Sequence, residues 1–405
     1  MSDPKVLTLE VLPAKKGDCL LLHYGTRATR KLWLIDGGPS GVYKPVLKKR
    51  LNALRGDKQL PVELLMVSHH DDDHIKGLLD LSDELETTLG EKPYLFRALW
   101  HNSWQRLADI DEKSPPPAVT AALICDEHDE AMLANVEQGF DLGRFATKFH
   151  WPVNRPFIGT VVGLGRTPNS KVTEFVPLAL TIVGPMPDEI EKLRKEYRKF
   201  LEAREKGDVA AESAALASYE DTSPANLSSI VVLVEHGEKS ILLTGDARGD
   251  TILEGLKELG LIGGGKVLQV DVLKMPHHGS NRNVEPDFFD SIVADHYVFS
   301  GDGSHGNPER QTLEMLLDAR GNARFTLHFN HGLEAIDKKR AADWDKEERK
   351  KKKKDPAHPI RPWNQAKQGT MELLEKRANA GGAKFKVVEP AGNGAHLVLD
   401  LLDPV

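Results

Sequence analysis

Cysteine is nearly absent from this chain: its 405 residues include only Cys19 and Cys125, far apart in sequence. That excludes a disulfide framework and a cysteine-built zinc site, and makes a reducing cytoplasm the expected location. Long apolar runs are also missing. No stretch approaches the roughly 18 apolar residues of a membrane span, and residues 1–5 open no signal-peptide-like segment, so no membrane partner is expected. Aromatic residues make up only 6%. The formal net charge of -7 argues against a wholly basic protein that coats DNA, but leaves room for a local basic groove. With 40% apolar and 28% charged residues, the chain reads as a globular protein long enough for one large core or two smaller ones.

What is abundant is one stretch. His69, His70, Asp71, Asp72, Asp73 and His74 are consecutive, directly after Ser68. An apolar strand pattern over residues 62–67 precedes them and a helix start over 75–79 follows, so the cluster lies in a strand-to-helix loop. Carboxylates this dense repel one another unless a cation holds them. Imidazole and carboxylate are the ligands of zinc, manganese and iron.

Along the chain, Lys5–Val11 alternates, with Leu7, Leu9 and Val11 on an apolar face and Val6, Thr8 and Glu10 on a more polar one, the pattern of a half-buried strand. Strands are expected at 18–24 and 31–35, the second ending in Asp36-Gly37-Gly38, and a helix over 43–54. Further strands are expected at 60–67 and 96–100. Residues 105–222 are poorly patterned and read as an insertion or cap. They include Pro115 to Pro117, an alanine-rich helix near 118–135, and an amphipathic helix on Ile190, Leu193, Tyr197, Phe200 and Leu201. Strands resume at 229–235, 240–243, 268–273, 295–300 and 325–329, with a helix over 309–320. Residues 337–368 carry six consecutive basic residues, Arg349 to Lys354, with Pro356, Pro359 and Pro362 after them, and read as a linker or mobile surface loop. The last segment, 369–405, has a helix and two strands whose apolar alternation predicts docking on the core. The expected divisions are 1–335, 336–368 and 369–405.

Five strands end in residues able to bind metal: Asp36, the His69–His74 cluster, Asp246, His277 with His278, and His305. Strand ends recurring this way imply a shared rim in an α/β layered fold.

The order Asp-Gly-Gly, His-x-Asp-x-Asp-His, Thr-Gly-Asp and a late His resembles the metallo-β-lactamase superfamily over roughly 5–335. The resemblance implies a four-layer αββα sandwich with metals at one edge, here with a helical insertion. Ser68–His74, Asn226–Ser229, Pro276–Ser280 and His305–Pro308 look like the soluble hydrolase domain of the bacterial DNA-uptake (competence) membrane protein and its free-standing relatives. Asp71 stands where many members have a second His. Asn226, 20 residues before Asp246, occupies a slot that often supplies a metal-binding His.

Carried over, the resemblance implies two divalent ions, zinc or manganese. His69 and Asp71 would hold one, Asp73 and His74 the other, and Asp246 would bridge them, with His277 or His278 completing a shell. Asp73 is thereby drawn into the catalytic centre, and His305 would protonate the leaving oxygen. Asp36 would orient a ligand His, Asn226 would lie beside the metals, and Ser280 and Asn281 would contact substrate phosphate. Two such ions, ~3.5–4 Å apart, supply a hydroxide at neutral pH and neutralise phosphoryl charge. The expected function is a metal-dependent phosphodiesterase or nuclease, whose basic segments would hold a nucleic-acid backbone. The alternatives are an ester, thioester or lactone hydrolase, with Trp100, Trp104 and Trp151 lining a pocket, or a non-catalytic metal-binding subunit of a larger system.

Overall fold

Two β-sheets lie face to face and helices cover both outer surfaces, as the computed structural model shows for residues 3–103, 106–107, 127–157, 161–207, 224–380, 384–392 and 394–404. The strands are β1 (Lys5–Val11), β2 (Leu20–Thr26), β3 (Lys31–Ile35), β4 (Leu60–Val62), β5 (Leu64–Met66), β6 (Tyr94–Phe96), β7 (Leu99–Trp100) and β8 (Lys171–Val172), then β9 (Ala179–Gly184), β10 (Val231–His236), β11 (Lys239–Leu243), β12 (Leu268–Lys274), β13 (Ile292–Phe299), β14 (Arg324–Phe329), β15 (Lys384–Val388) and β16 (Leu397–Asp400). One sheet runs β16-β1-β2-β3-β5-β7 and the other β15-β14-β13-β12-β11-β10-β9-β8. Leu7, Leu9, Leu22 and Trp33 of the first sheet meet Leu180, Ile182, Val232 and Ile241 of the second in one inter-sheet core.

Helices α1 (Lys48–Arg55), α2 (Asp72–Thr87) and α3 (Glu127–Lys148) lie over the first sheet. Leu51, Ile75, Leu78, Leu142 and Phe145 pack there against Leu21 and Leu34. After α4 (Pro187–Glu205), the second sheet is covered by α5 (Gly249–Glu258), α6 (Arg310–Arg320), α7 (Leu333–Lys354) and α8 (Thr370–Asn379). Leu256, Leu316, Ile336 and Leu373 pack against Leu273 and Leu327 on that side. This is the expected four-layer αββα sandwich.

The direction of the strands makes the rim. β3 and β5 run parallel, pairing Ile35 with Met66, and β11, β12, β13 and β14 are successively parallel. Parallel neighbours end on the same side, so the loops after these strands emerge together. α2 is pressed close to the end of β3: a Cβ on Gly77 would lie 1.9 Å from the Gly37 carbonyl oxygen. Only glycine permits that approach, which seats the first turn of α2 against the strand ends.

The expected half-exposure of β1 is corrected. Thr8 and Glu10 are buried, because helices roof the polar face as well. Glu10 accepts from Arg50 Nε of α1 at 2.6 Å and lies 2.9 Å from His23 Nε2. Burial pushes the Glu10 carboxyl up, but the hydrogen bonds from Arg50 and His23 outweigh it and pull it down to about 2. A depressed carboxylate stabilises the fold above its unfolded pKa, and that contribution disappears as pH falls through the folded value. Glu10→Gln should therefore lose ~3 kcal/mol at pH 7. The gap to wild type should close between about pH 4.5 and 2, as read by urea unfolding across that range.

Three other expectations change. The strand expected over 60–67 is two: β4 pairs with β6 in a separate ribbon, and β5 enters the first sheet after Glu63 switches its N–H to Leu32 O. The segment 105–222 is more than a helical addition, since β8 and β9 are edge strands of the second sheet and Leu180 and Ile182 enter its core. In α4, Ile190 and Leu193 are buried, whereas the side chains of Tyr197 and Phe200 lie outside the described residues. So do Trp104, Pro115 to Pro117, Cys125 and the start of the alanine-rich helix.

Finally, Arg349 to Lys354 form the last turns of α7, not a linker or loop. The anchor of α7 is Asp337. Its carboxylate accepts from Thr370 N and Oγ1 at 2.8 and 2.6 Å, Met371 N at 3.0 Å and Gln365 Nε2 at 2.8 Å, and meets Arg340 at 3.3 Å. Asp337→Ala leaves buried donors and the buried Arg340 guanidinium without this acceptor, so we expect a loss of about 3 kcal/mol or more in chemical denaturation. Among the described residues, no helix is long and apolar enough to cross a membrane.

Candidate metal centre

The rim gathers side chains from both sheets. Asp36 follows β3, Ser68 to His74 link β5 to α2, Asp246 follows β11, and His277 and His278 sit in a tight turn after β12. The Nε2 atoms of His69, His74, His277 and His278 stand 3.9, 3.4, 3.8 and 3.4 Å from one atom, Asp246 Oδ2. Asp71 Oδ2 is 3.3 Å from His69 Nε2. Asp73 lies 4.0 Å from His74 Nε2 and 3.9 Å from His278 Nε2. Two sets of potential ligand atoms, His69/His74/Asp246 and Asp73/His74/His278, are each compact enough to close on one ion.

The opposite ring nitrogens determine which atom is free. His74 Nδ1 donates to Asp36 Oδ2 at 2.9 Å, since a carboxylate only accepts. Ser68 Oγ donates to the same carboxylate at 2.7 Å, leaving its oxygen to accept from His69 Nδ1 at 3.1 Å. His278 Nδ1 faces Ser300 Oγ at 3.2 Å and Asp18 Oδ1 at 3.5 Å. In the neutral tautomer protonated at Nδ1, the form a metal ion would select, each ring directs an Nε2 lone pair at the centre. Nε2 of His69, His74 and His278, together with Asp246 Oδ1, is buried with no hydrogen-bond partner among the described residues. Buried polar atoms are rarely left this way. Imidazole lone pairs converging with carboxylates are a donor set that fits divalent cations.

Charge is concentrated here. Burial opposes ionisation of Asp246, yet His278, His74 and His277 hold its carboxyl well below the usual range. Burial likewise disfavours the His74 cation, but Asp246 and Asp36 more than offset it and raise its pKa well above normal. Against the same burial, Asp246 and Asp18 raise His278 to about 9. Burial lowers His277. Burial also acts against Asp71, whose pKa is nonetheless lowered by hydrogen bonding to His69.

Several residues singled out from sequence sit elsewhere. His305 is exposed on a turn, its backbone N–H bound to Asp343 Oδ2 at 3.0 Å, so its position gives no support to a leaving-group role. Ser280 Oγ and Asn281 N are directed at Glu309 Oε1, at 3.4 and 3.3 Å, rather than into the cluster. Asn226 is buried beside the centre, its Nδ2 3.4 Å from His277 Nδ1. His101 bonds Gly139 O through Nε2 at 2.9 Å and packs on His70, away from the Asp246 group. Trp100 packs against Trp33, Phe157 and Phe175 in the core, and Trp151 against Phe96 and Phe149, so neither lines a pocket over the cluster.

Asp18 and Lys274 escaped the sequence reading. Both are buried and they form an ion pair; Asp18 also accepts from Ser300 Oγ, and Lys274 Nζ lies 4.0 Å from Asp246 Oδ1. Gly17-Asp18 reads as a plain turn. The available signal was an acidic residue beside glycine, here just before β2, whereas Asp36-Gly37 follows β3.

An αββα sandwich with imidazoles and carboxylates converging at the shared edge of its sheets defines a class of metal-binding sandwich proteins. Residues 17–290 match the model of the metallo-beta-lactamase superfamily, and the chain belongs to it. That superfamily consists mostly of metal-dependent hydrolases and binds dinuclear metals. Among solved structures, the chain is similar to CmlA, a diiron beta-hydroxylase from Streptomyces venezuelae, with 11% identity and a TM-score of 0.35 over 99% of this chain; it spans 55% of that protein. A stretch of 93 residues is 36% identical to microtubule-associated protein 1A of Rattus norvegicus, covering 20% of this chain and 3% of that one.

Proposed function

We propose that the chain is a metal-dependent hydrolase that cleaves phosphodiesters, with nucleic acid as its substrate. The observation that carries the reading is the set of Nε2 atoms around Asp246 Oδ2, flanked by Asp71 and Asp73. The side chains of Asp71 and Asp73 are 30% and 19% exposed, so the centre opens to solvent on their side. Two ions would be held among His69, Asp71, Asp73, His74, His278 and Asp246, with Asp246 placed to serve both. Zinc or manganese bound there would lower the pKa of water and neutralise charge on phosphoryl oxygens. Asp36, Ser68 and Asp18 fix the imidazole orientations through Nδ1.

The phosphodiester assignment draws on the competence-type motifs and on α7. Its residue Asp343 binds the His305 turn and Arg340 Nε donates to Gly306 O at 3.0 Å, while Asn307 of the same loop donates from Nδ2 to His277 O at 3.3 Å, so the middle of the helix is joined to the rim through this loop. The basic run begins roughly 9 Å beyond Asp343 along the helix axis. A phosphate backbone lying on it would lead back to the metals.

The test is hydrolysis of bis-p-nitrophenyl phosphate and of single- and double-stranded DNA and RNA with Mn²⁺ or Zn²⁺, against Asp73→Ala. Lys350, Lys352, Lys353 and Lys354, changed together to alanine, should weaken nucleic-acid cleavage and flatten its salt dependence while sparing the small ester. No cleavage of any substrate by metal-loaded wild type would end the reading. Ester cleavage without nucleic-acid cleavage would end only the substrate assignment.

A further inference from the structure

We infer that the Lys15–Lys16 turn is a phosphate-backbone contact beside the centre, continued through Lys339 onto one basic face of α7. The inference rests on the nucleic-acid reading above and assigns it substrate-binding residues outside the metal cluster.

The turn is built against the centre. Gly17 N donates to Ala14 O at 3.0 Å and closes it, between β1 and β2. Asp18 N donates to Asp73 O at 3.2 Å, and the same carbonyl leaves no room for a Cβ on Gly17. The turn is thereby seated on the Asp73 side, where the centre opens to solvent. Lys15 has left-handed backbone, φ 56°, a conformation that glycine takes freely and lysine resists. Strain of this kind at a non-glycine residue is a pointer to function. The exposed Lys15 ammonium donates to Ser40 O at 2.8 Å, which uses one of its three hydrogens. Lys16 is half-buried beside it, and no acceptor holds its ammonium among the described residues.

The same turn is tied to α7. His331, just ahead of the helix, donates to the Lys15 carbonyl. Gly303 packs so close to α7 that a Cβ on it would lie 3.0 Å from Lys339 Cβ. Asp302, next to it, accepts from Ser304 N at 2.9 Å, and its charge acts on both His331 and Lys339. From there Lys339, Ala342, Lys346, Lys350 and Lys353 recur every three or four residues, so they share one helix face. All five are exposed, and the last four line one groove with Asp345 and Arg349. The acids beside them are Asp345 and Glu347, the latter 3.1 Å from Lys350, so the face stays cationic. Lys339 to Lys353 covers roughly 21 Å of helix, the length of about six phosphates on one strand of a duplex.

The experiment is fluorescence anisotropy of the full chain with a labelled DNA duplex of about 24 base pairs, in EDTA to prevent turnover, between about 50 and 200 mM NaCl. Lys15→Gly combined with Lys16→Gln removes both charges and suits the turn. It should bind at least ~10-fold more weakly, with a salt slope shallower by about 1–2. Its urea midpoint should not fall, because glycine relieves the strain at position 15. Lys339→Ala combined with Lys346→Ala should weaken binding and flatten the slope in the same way. Lys15→Arg combined with Lys16→Arg should keep the affinity. A Gly/Gln variant that binds with wild-type affinity and slope would overturn the inference. So would an Arg/Arg variant that loses as much as Gly/Gln, since the turn would then act through its shape. A wild type that binds no duplex at the lowest salt would end the nucleic-acid assignment itself, a distinguishable failure.

Discussion

Asp246→Ala should empty the centre of both ions and reduce bis-p-nitrophenyl phosphate hydrolysis by at least ~10³-fold, equivalent to about 4 kcal/mol of barrier. Asp246 Oδ2 lies within 3.9 Å of all four imidazole Nε2 atoms. No neighbouring carboxylate can replace it. Asp71 is at the His69 side, Asp73 at the His74/His278 side, and Asp36 and Asp18 are committed to Nδ1 atoms and to Lys274. The loss should appear in metal content as well as rate, so it is distinct from a change in substrate binding. Asp246→Asn is the sharper control. It keeps the shape but removes the charge, and a neutral amide oxygen does not hold two cations. Retention of two ions and near-normal rates in Asp246→Ala would show that the lone pairs meet there for some other purpose.

The contributions of Asp36, the His69–His74 cluster, Asp246 and His278 to one rim were legible in the sequence because each directly follows an apolar strand. Parallel pairing then forces such ends together. His305 follows a strand too, yet it ends up exposed. Its loop is longer, and its turn is captured by Asp343 and Arg340 of α7, a helix the sequence disguised. The disguise was compositional: a run of lysines gives no apolar stripe, so nothing marks a helix beyond propensity. What holds its first half is Asp337, a polar anchor invisible to hydrophobic periodicity. Glu10 misled for the opposite reason. Alternation in β1 implied a wet face, but Arg50, forty residues away, makes a buried carboxylate tolerable. Partnerships between distant polar groups set these outcomes, and single-sequence patterns do not carry them.

Asp18→Ala should act on both stability and metal binding, and the two effects can be separated. Burial alone would raise the Asp18 carboxyl, but Lys274 and His278 hold it well below the carboxylate range, so it is a charged partner to both. Its removal leaves the buried Lys274 ammonium with Gly245 O at 3.4 Å and Asp246 Oδ1 at 4.0 Å. Breaking one side of a buried pair costs about 3–5 kcal/mol. It also removes an acceptor from His278 Nδ1, leaving Ser300 Oγ at 3.2 Å, and affinity for a metal held by His278 should drop ~10-fold or more. Asp18→Asn keeps an acceptor without the charge. It should retain most of the metal affinity while losing stability. Asp18→Asn with Lys274→Met removes both charges, so it should recover much of the lost stability, as replacement of both partners of a buried pair does. Urea unfolding of the metal-free chain reads the first effect and Co²⁺ titration the second. If Asp18→Ala unfolds at the same urea concentration as wild type, the Lys274 pair contributes nothing net. If the double variant is no better than Asp18→Asn, the instability comes from weaker hydrogen bonds of the neutral amide to Ser300 and His278 rather than from the stranded charge.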